Sequence, residues 1–362
     1  MVICCNGDIL RNMNYEESLV CQCVRQNFAH ADATKVHTLA TRVTICWSTV
    51  LAIAEDHLVA PLVHKNLQYC VDVENLAVPE QILQAFKMVA IENTVHQKWR
   101  RQKLGELMQY LHSQGIGVMF AKSIALTALV YEHEWYTTPD DIDLLLDRPK
   151  AAIDGKQRAV IAAYEAFGIE SDAFAHHDLN MNGILPIDFA QVWKDAYQIE
   201  FDGYPVYVMA PEDMLISLCV NAARKRYFRL KAMFDIVELI AGSPQLDWHH
   251  FVEKVRAYDV TLIVYAALYS TQQYLDLALP TDLLTALQIH PLRALLIRLI
   301  LRFTSLSASS QLRTANWLQL FGRQLSPSVT LRYLTLRWYQ IIRQLRFTLS
   351  TPRAQFDFWD GE

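Results

Sequence analysis

Two short stretches, GVMFAKSIALTALVY (117–131) and DIDLLL (141–146), decide how this chain folds. GVMFA (117–121) is a short apolar run that predicts a buried strand. The apolar residues of the following SIALTALVYEH fall three and four apart, which predicts a short helix. In DIDLLL the alternation predicts a second strand. Residues two apart share a face of a strand, so Asp141 and Asp143 project together while Ile142 and Leu144 turn to a core. Two carboxylates on one face repel each other, and a hard divalent cation, Mg²⁺ or Mn²⁺, reverses that by favouring both ionised forms. A third acid stands in GILPIDFA (183–190), whose alternation reads as another strand, with Asp188 opposite in facing to Ile187 and Phe189. Three acids on neighbouring strands suit two-metal phosphoryl chemistry.

The start of a helix just after a strand also offers free backbone N–H groups and a positive dipole end to phosphate. Lys122 and Ser123 occupy that junction. Further on, Arg224, Lys225, Arg226, Arg229 and Lys231 form a basic cluster at a helix junction. It can clamp a triphosphate or an acceptor, or it can compensate a helix C-terminus and pair with Asp235 and Glu238. His176, His177 and Asp178 resemble a metal cluster, but adjacent strand residues face opposite ways, so a loop or core role is expected.

Around this centre the pattern is helical. NYEESLVCQCVRQNF, VTICWSTVLAIAEDH and LVAPLVHKNLQYC show helical spacing, and one or two helices run from Pro79 to Gly115. Pro149 opens another, to about Phe167. Strand-like stretches follow at 171–179, 197–201 and 205–209, and from Pro211 the chain reads as helices. The expected class is α+β and predominantly helical: a small mixed sheet between helical regions. The expected parts are an N-terminal helical region at 1–95, an α/β core at 96–210, and a C-terminal helical region with an Arg-rich tail at 211–362.

Composition narrows the classes. Of 362 residues 52% are hydrophobic, and only 11 Gly and 12 Pro supply turns, which speaks against a multi-hairpin barrel or sandwich. The most apolar stretches, 260–279 and 291–303, are interrupted by polar or charged residues such as Asp276 and Arg298, so no membrane span is expected. The opening MVICCNGDIL has no basic stretch and meets Asp8 early, so a secretion leader is not expected, and a cytoplasmic setting is. Seven cysteines show no zinc-ligand spacing, and their odd number suggests reduced thiols. Ten arginines and no acidic residue lie between Asp282 and Asp357, although the chain as a whole carries −5. A basic tail of this kind fits RNA or other phosphates, or the protein's own acidic body.

The run MFAKSIALTALVY, the strand DIDLLL and the later LPIDFAQVW together resemble the bacterial family of uncharacterised nucleotidyltransferases within the DNA polymerase β-like superfamily. EESLVCQCVR and AEDHLVAPLVHKNL are similar to its N-terminal helices. GYPVYVMAPEDMLISLCVNAARKRYFRLKAMFDIVELI and LDWHHFVEKVRAYDV are similar to its helical half. The resemblance spans roughly residues 15–280. It implies metal-dependent transfer of a nucleotide from a nucleoside triphosphate, ATP among them, to an acceptor: a small molecule, peptide, protein or RNA. Asp141 and Asp143 match the paired metal ligands, and Asp188 matches the place of the third acid. The alternative expectation is a non-catalytic binding protein that retains the fold.

Overall fold

Capping chemistry and apolar spacing set the N-terminal helices. In the computed structural model, which describes residues 13–138, 141–147, 152–172, 185–225, 227, 229–302 and 306, helix α1 (Tyr15–Cys23) opens on a reciprocal cap. Asn14 Oδ1 accepts from Glu17 N–H at 2.7 Å, and Glu17 Oε2 accepts from Asn14 N–H at 3.1 Å. Helices α2 (His30–Arg42), α3 (Trp47–Asp56) and α4 (Ala60–Glu74) follow, and α4 stops where Asn75 adopts a left-handed conformation. The stretch after Pro79 forms one unbroken helix, α5 (Glu80–Ser113), with Pro79 as its N-cap. Gly115, at φ 62°, turns the chain out of it.

The sheet then forms from β1 (Val118–Phe120), β2 (Ile142–Leu146), β3 (Ile169–Asp172), β4 (Tyr197–Phe201) and β5 (Tyr204–Val208), in the order β3-β2-β1-β5-β4. β1 is central, antiparallel to β2 with Phe120 opposite Leu144, and parallel to β5 with Phe120 opposite Val208. The sheet is therefore mixed, as expected. Helix α6 (Lys122–Leu129) leaves the end of β1, and α7 (Gly155–Ala163) lies between β2 and β3. The helix expected from Pro149 begins at Gly155 because Asp154 caps it, accepting from Gln157 N–H at 2.8 Å. A 3₁₀ turn at Glu165–Phe167 completes the stretch.

One expected strand is corrected. GILPIDFA does not form a strand among its described residues; Leu185 to Asp188 are irregular and α8 (Phe189–Asp195) begins there. Asp188 accepts backbone N–H bonds from Ala190 and Gln191 at 3.1 and 3.2 Å, which stabilises a helix start rather than a strand. His176, His177, Asp178 and the arginines from Arg313 onward lie outside the described residues.

The C-terminal helices are α9 (Pro211–Arg224), α10 (Leu230–Gly242), α11 (Trp248–Ala257), α12 (Thr261–Leu275), α13 (Leu283–Ala286) and α14 (Pro291–Arg302). α9 and α10 are buried along most of their length, through Met214, Leu215, Leu218, Met233, Phe234 and Ile236. α10 closes on the segment after α6: a Cβ at Gly242 would lie 2.4 Å from Val130 Cγ1, so only glycine allows that approach. No helix among the described residues is long and apolar enough to cross a membrane.

Candidate functional site

The site forms where β1 runs into α6 beside the start of β2. The register carries pairing one step past β1, since Ala121 N–H donates to Asp143 O at 3.2 Å. That brings Lys122, the next residue, alongside Asp143. Lys122 has φ 51°, a left-handed conformation that costs a non-glycine residue about 1–2 kcal/mol. Its side chain is nearly buried, and Nζ donates to Asp143 Oδ1 at 2.7 Å. One of the two carboxylates expected to share a face thus holds an ammonium group.

Asp141 and Asp143 line a solvent-open cleft together with Lys122 and Ser123. Further lining comes from the α9–α10 connection: Asn221, Arg224 and Lys225 at the end of α9, then Arg229, Lys231 and Ala232. Asp141, Asp143, Lys122, Ser123 and four of the five residues of the basic cluster thus line one opening, while Arg226 lies outside the described residues. Asp188 is not among the described lining residues. It lies near Tyr258, whose hydroxyl is pushed up first by burial and then by the charges of Asp213, Asp188 and Asp195.

A buried polar chain supports the basic part of the lining. Lys231 Nζ donates to Ser123 Oγ and, at 2.6 Å, to Asp235 Oδ2; Tyr131 OH donates to Asp235 Oδ1. Asp235 is fully buried, so both its oxygens rely on these bonds. Burial, reinforced by the Asp235 charge, pushes the Tyr131 hydroxyl well up. One turn further, burial and Asp235 raise the Glu238 carboxyl to about 7, against the pull of the Gln26 backbone and Lys65.

The α3–α4 junction braces both parts of the lining. Leu58, at φ 59°, lines the cleft and its carbonyl accepts from Thr138 N–H at 3.1 Å. The His57 carbonyl accepts from Lys231 N–H at 3.3 Å. His57 Nδ1 accepts from Leu230 N–H at 3.2 Å, so Nε2 carries the proton and donates to Leu306 O at 2.9 Å. Sequence reading missed Leu58, Asn221, Tyr131 and this brace. Asn221 had a signal, standing one helical turn before Arg224; Leu58 had none.

A search of curated proteins found no match. Among solved structures, an antigenic nucleotidyltransferase-like protein from Paracoccidioides brasiliensis matches with 16% identity and a TM-score of 0.34, covering 52% of this chain and 92% of that one. A family profile matches residues 44–153 and 175–276, a span that holds every lining residue of the cleft and ends before α13, α14 and the Arg-rich segment. On that match the chain belongs to the family described as uncharacterised nucleotidyltransferase.

Proposed function

We propose that the protein transfers a nucleoside monophosphate from a nucleoside triphosphate to an acceptor hydroxyl, with a divalent metal held at Asp141 and Asp143. The observation that carries this reading is the cleft itself, which is lined by two carboxylates and by Arg224, Lys225, Arg229 and Lys231. The donors fit a hard cation: two carboxylate oxygens, with phosphate oxygens of the substrate, are a common set for Mg²⁺. Asp143 already attracts a cation, the Lys122 ammonium. Among the described residues no cluster of three or more His, Cys, Asp or Glu is arranged to hold a metal, so the proposed protein ligands are two.

When bound, the metal would supply Lewis-acid stabilisation of charge on the phosphoryl oxygens. The chain's own residues do the rest. Ser123 and the N–H groups at the start of α6 hold phosphate oxygens. As the acceptor hydroxyl oxygen bonds to the α-phosphorus, its proton passes to solvent, and the bond to the bridging oxygen breaks with its electron pair leaving on pyrophosphate. Arg224, Arg229 and Lys231 then face the charge that pyrophosphate takes away. The buried Asp235–Tyr131 pair fixes Lys231 for that task. The acceptor class stays open among small molecules, peptides, proteins and RNA.

The test pairs binding with turnover. Mg²⁺ plus a mixture of the four nucleoside triphosphates should raise the melting temperature, and Asp143→Asn should weaken that binding at least 100-fold by calorimetry. The variant should also lose about 1–3 kcal/mol of stability, because Lys122 keeps its charge in a nearly buried position without its carboxylate. Unchanged metal-dependent affinity in Asp143→Asn would remove the carboxylate from the site. A second reading, a nucleotide-binding protein without turnover, is favoured by the absence of Asp188 from the described lining. Triphosphate binding without pyrophosphate release against any acceptor fraction would select it.

A further inference from the structure

We propose that His57 is a positioning residue for the transfer: it caps the start of α10 from outside the helix, which frees the N-cap residue, Arg229, to serve the cleft. The inference rests on the reading of the cleft as a triphosphate site and concerns how its basic part is built. The first turn of a helix leaves backbone N–H groups without an intrahelical carbonyl. In α8 and α11 an aspartate at the N-cap takes them. Asp188 accepts from Ala190 and Gln191, and Asp247 accepts from His249 and His250 at 2.9 and 3.1 Å. α10 has Arg229 at this position, and a guanidinium has no acceptor to offer. A cation is also disfavoured at the positive end of the helix dipole.

His57 supplies what Arg229 lacks. The Ala232 N–H turns back to the Arg229 carbonyl at 3.0 Å. Those of Leu230 and Lys231 both go to His57, the first to Nδ1 at 3.2 Å and the second to the carbonyl at 3.3 Å. His57 is 1% exposed, and the bond from Nε2 to Leu306 O at 2.9 Å holds its ring in place. An aspartate in place of Arg229 would cap α10 as well, but it would set a carboxylate in the lining, where it repels phosphate. An uncharged ring from a distant part of the chain caps the helix and leaves its start positive. Arg229 and Lys231 then stand in the lining on a fixed first turn. The cap is thus separated from the contact with phosphate, and each is made by a different residue.

The experiment measures binding of inorganic tripolyphosphate to the full chain, with Mg²⁺ present, by calorimetry. Asparagine can place its acceptor oxygen where Nδ1 lies, whereas glutamine reaches the Nε2 position and leaves the Leu230 N–H without its acceptor. His57→Gln should therefore weaken tripolyphosphate binding about tenfold, the factor one hydrogen bond is worth, while His57→Asn should stay within about twofold of the parent protein. Arg229→Gln, which removes the charge without adding a cap, should weaken it at least as much as His57→Gln. If the two His57 variants bind alike while Arg229→Gln binds weakly, the positioning role is overturned and the phosphate reading stands. If the parent protein fails to bind, or Arg229→Gln binds as the parent does, the phosphate reading falls and this inference with it. A second measurement needs no variant: amide hydrogen exchange of the parent protein, resolved by residue. The Leu230 and Lys231 amides should exchange as slowly as that of Phe234 inside the helix. Free exchange at both overturns the cap even if the substituted proteins fail to fold.

Discussion

Two groups of carboxylates in this molecule meet lysine in opposite ways. Where α8, α9 and α11 meet, one ammonium is shared by two acids: Lys254 Nζ lies 2.8 Å from Asp195 and 2.6 Å from Asp213. Burial raises the Asp213 carboxyl. Burial also works against the Lys254 charge, but its two carboxylate bonds outweigh that and hold it above its ordinary value. In the described lining of the cleft the balance is reversed, with cationic side chains outnumbering acidic ones around an opening to solvent. The first arrangement pairs its buried ammonium with two acids of the protein; the described lining of the second offers more cationic than acidic side chains. Residue types alone do not separate a clamp from a binding site, whereas charge balance and exposure do.

The largest effect should come from breaking the sealed group. Lys254→Met leaves Asp195 and Asp213 without their shared cation and should cost about 3–5 kcal/mol in denaturant unfolding. Triphosphate affinity of the folded protein should be unchanged. A small stability loss accompanied by weakened nucleotide binding would erase the distinction between the two regions.

Glu238 lies between the extremes, a buried acid on the helix that also carries Lys231, and its carboxyl is raised from an ordinary 4.5 to about 7. In that window the folded protein keeps a proton that the unfolded chain releases. The associated stability is fully present below pH 4.5 and is lost as pH rises through 7, a difference of about 3 kcal/mol. Glu238→Gln should flatten the fall in melting temperature between pH 5.5 and 8.5. A parent and variant with parallel pH profiles would show that Glu238 titrates normally.

The smallest effect concerns which region owns Asp188. As an N-cap, Asp188→Ala should cost about 1 kcal/mol while Asp188→Asn, which keeps the acceptor oxygen, should cost little. If Asp188→Asn instead depresses nucleotidyl transfer at unchanged stability, the residue belongs to the cleft after all.

The strands around the cleft were legible because alternation and short apolar runs are local signals. GVMFA and DIDLLL each carry enough pattern to be read alone, and the basic cluster announced itself by density. Asp188 was misread because GILPIDFA alternates like a strand. The competing signal was present: Asp188 is followed three residues later by Gln191, the spacing of a helix-opening cap. The Lys122–Asp143 pair was beyond reach, since it depends on the register that sets Phe120 opposite Leu144. The Tyr131–Asp235 bond joins residues 104 apart and depends on how α10 closes over α6. Such contacts are products of packing, not of local pattern.

The brace at His57 and Leu58 has a practical consequence for anyone who wishes to work with less than the whole chain. A recombinant fragment starting at residue 96 would contain both carboxylates and every arginine of the cleft, yet it would lack Leu58 and the two carbonyls that receive Thr138 and Lys231. It would present the right chemistry on unanchored edges. Trimming that preserves the cleft should therefore spare the α3–α4 corner.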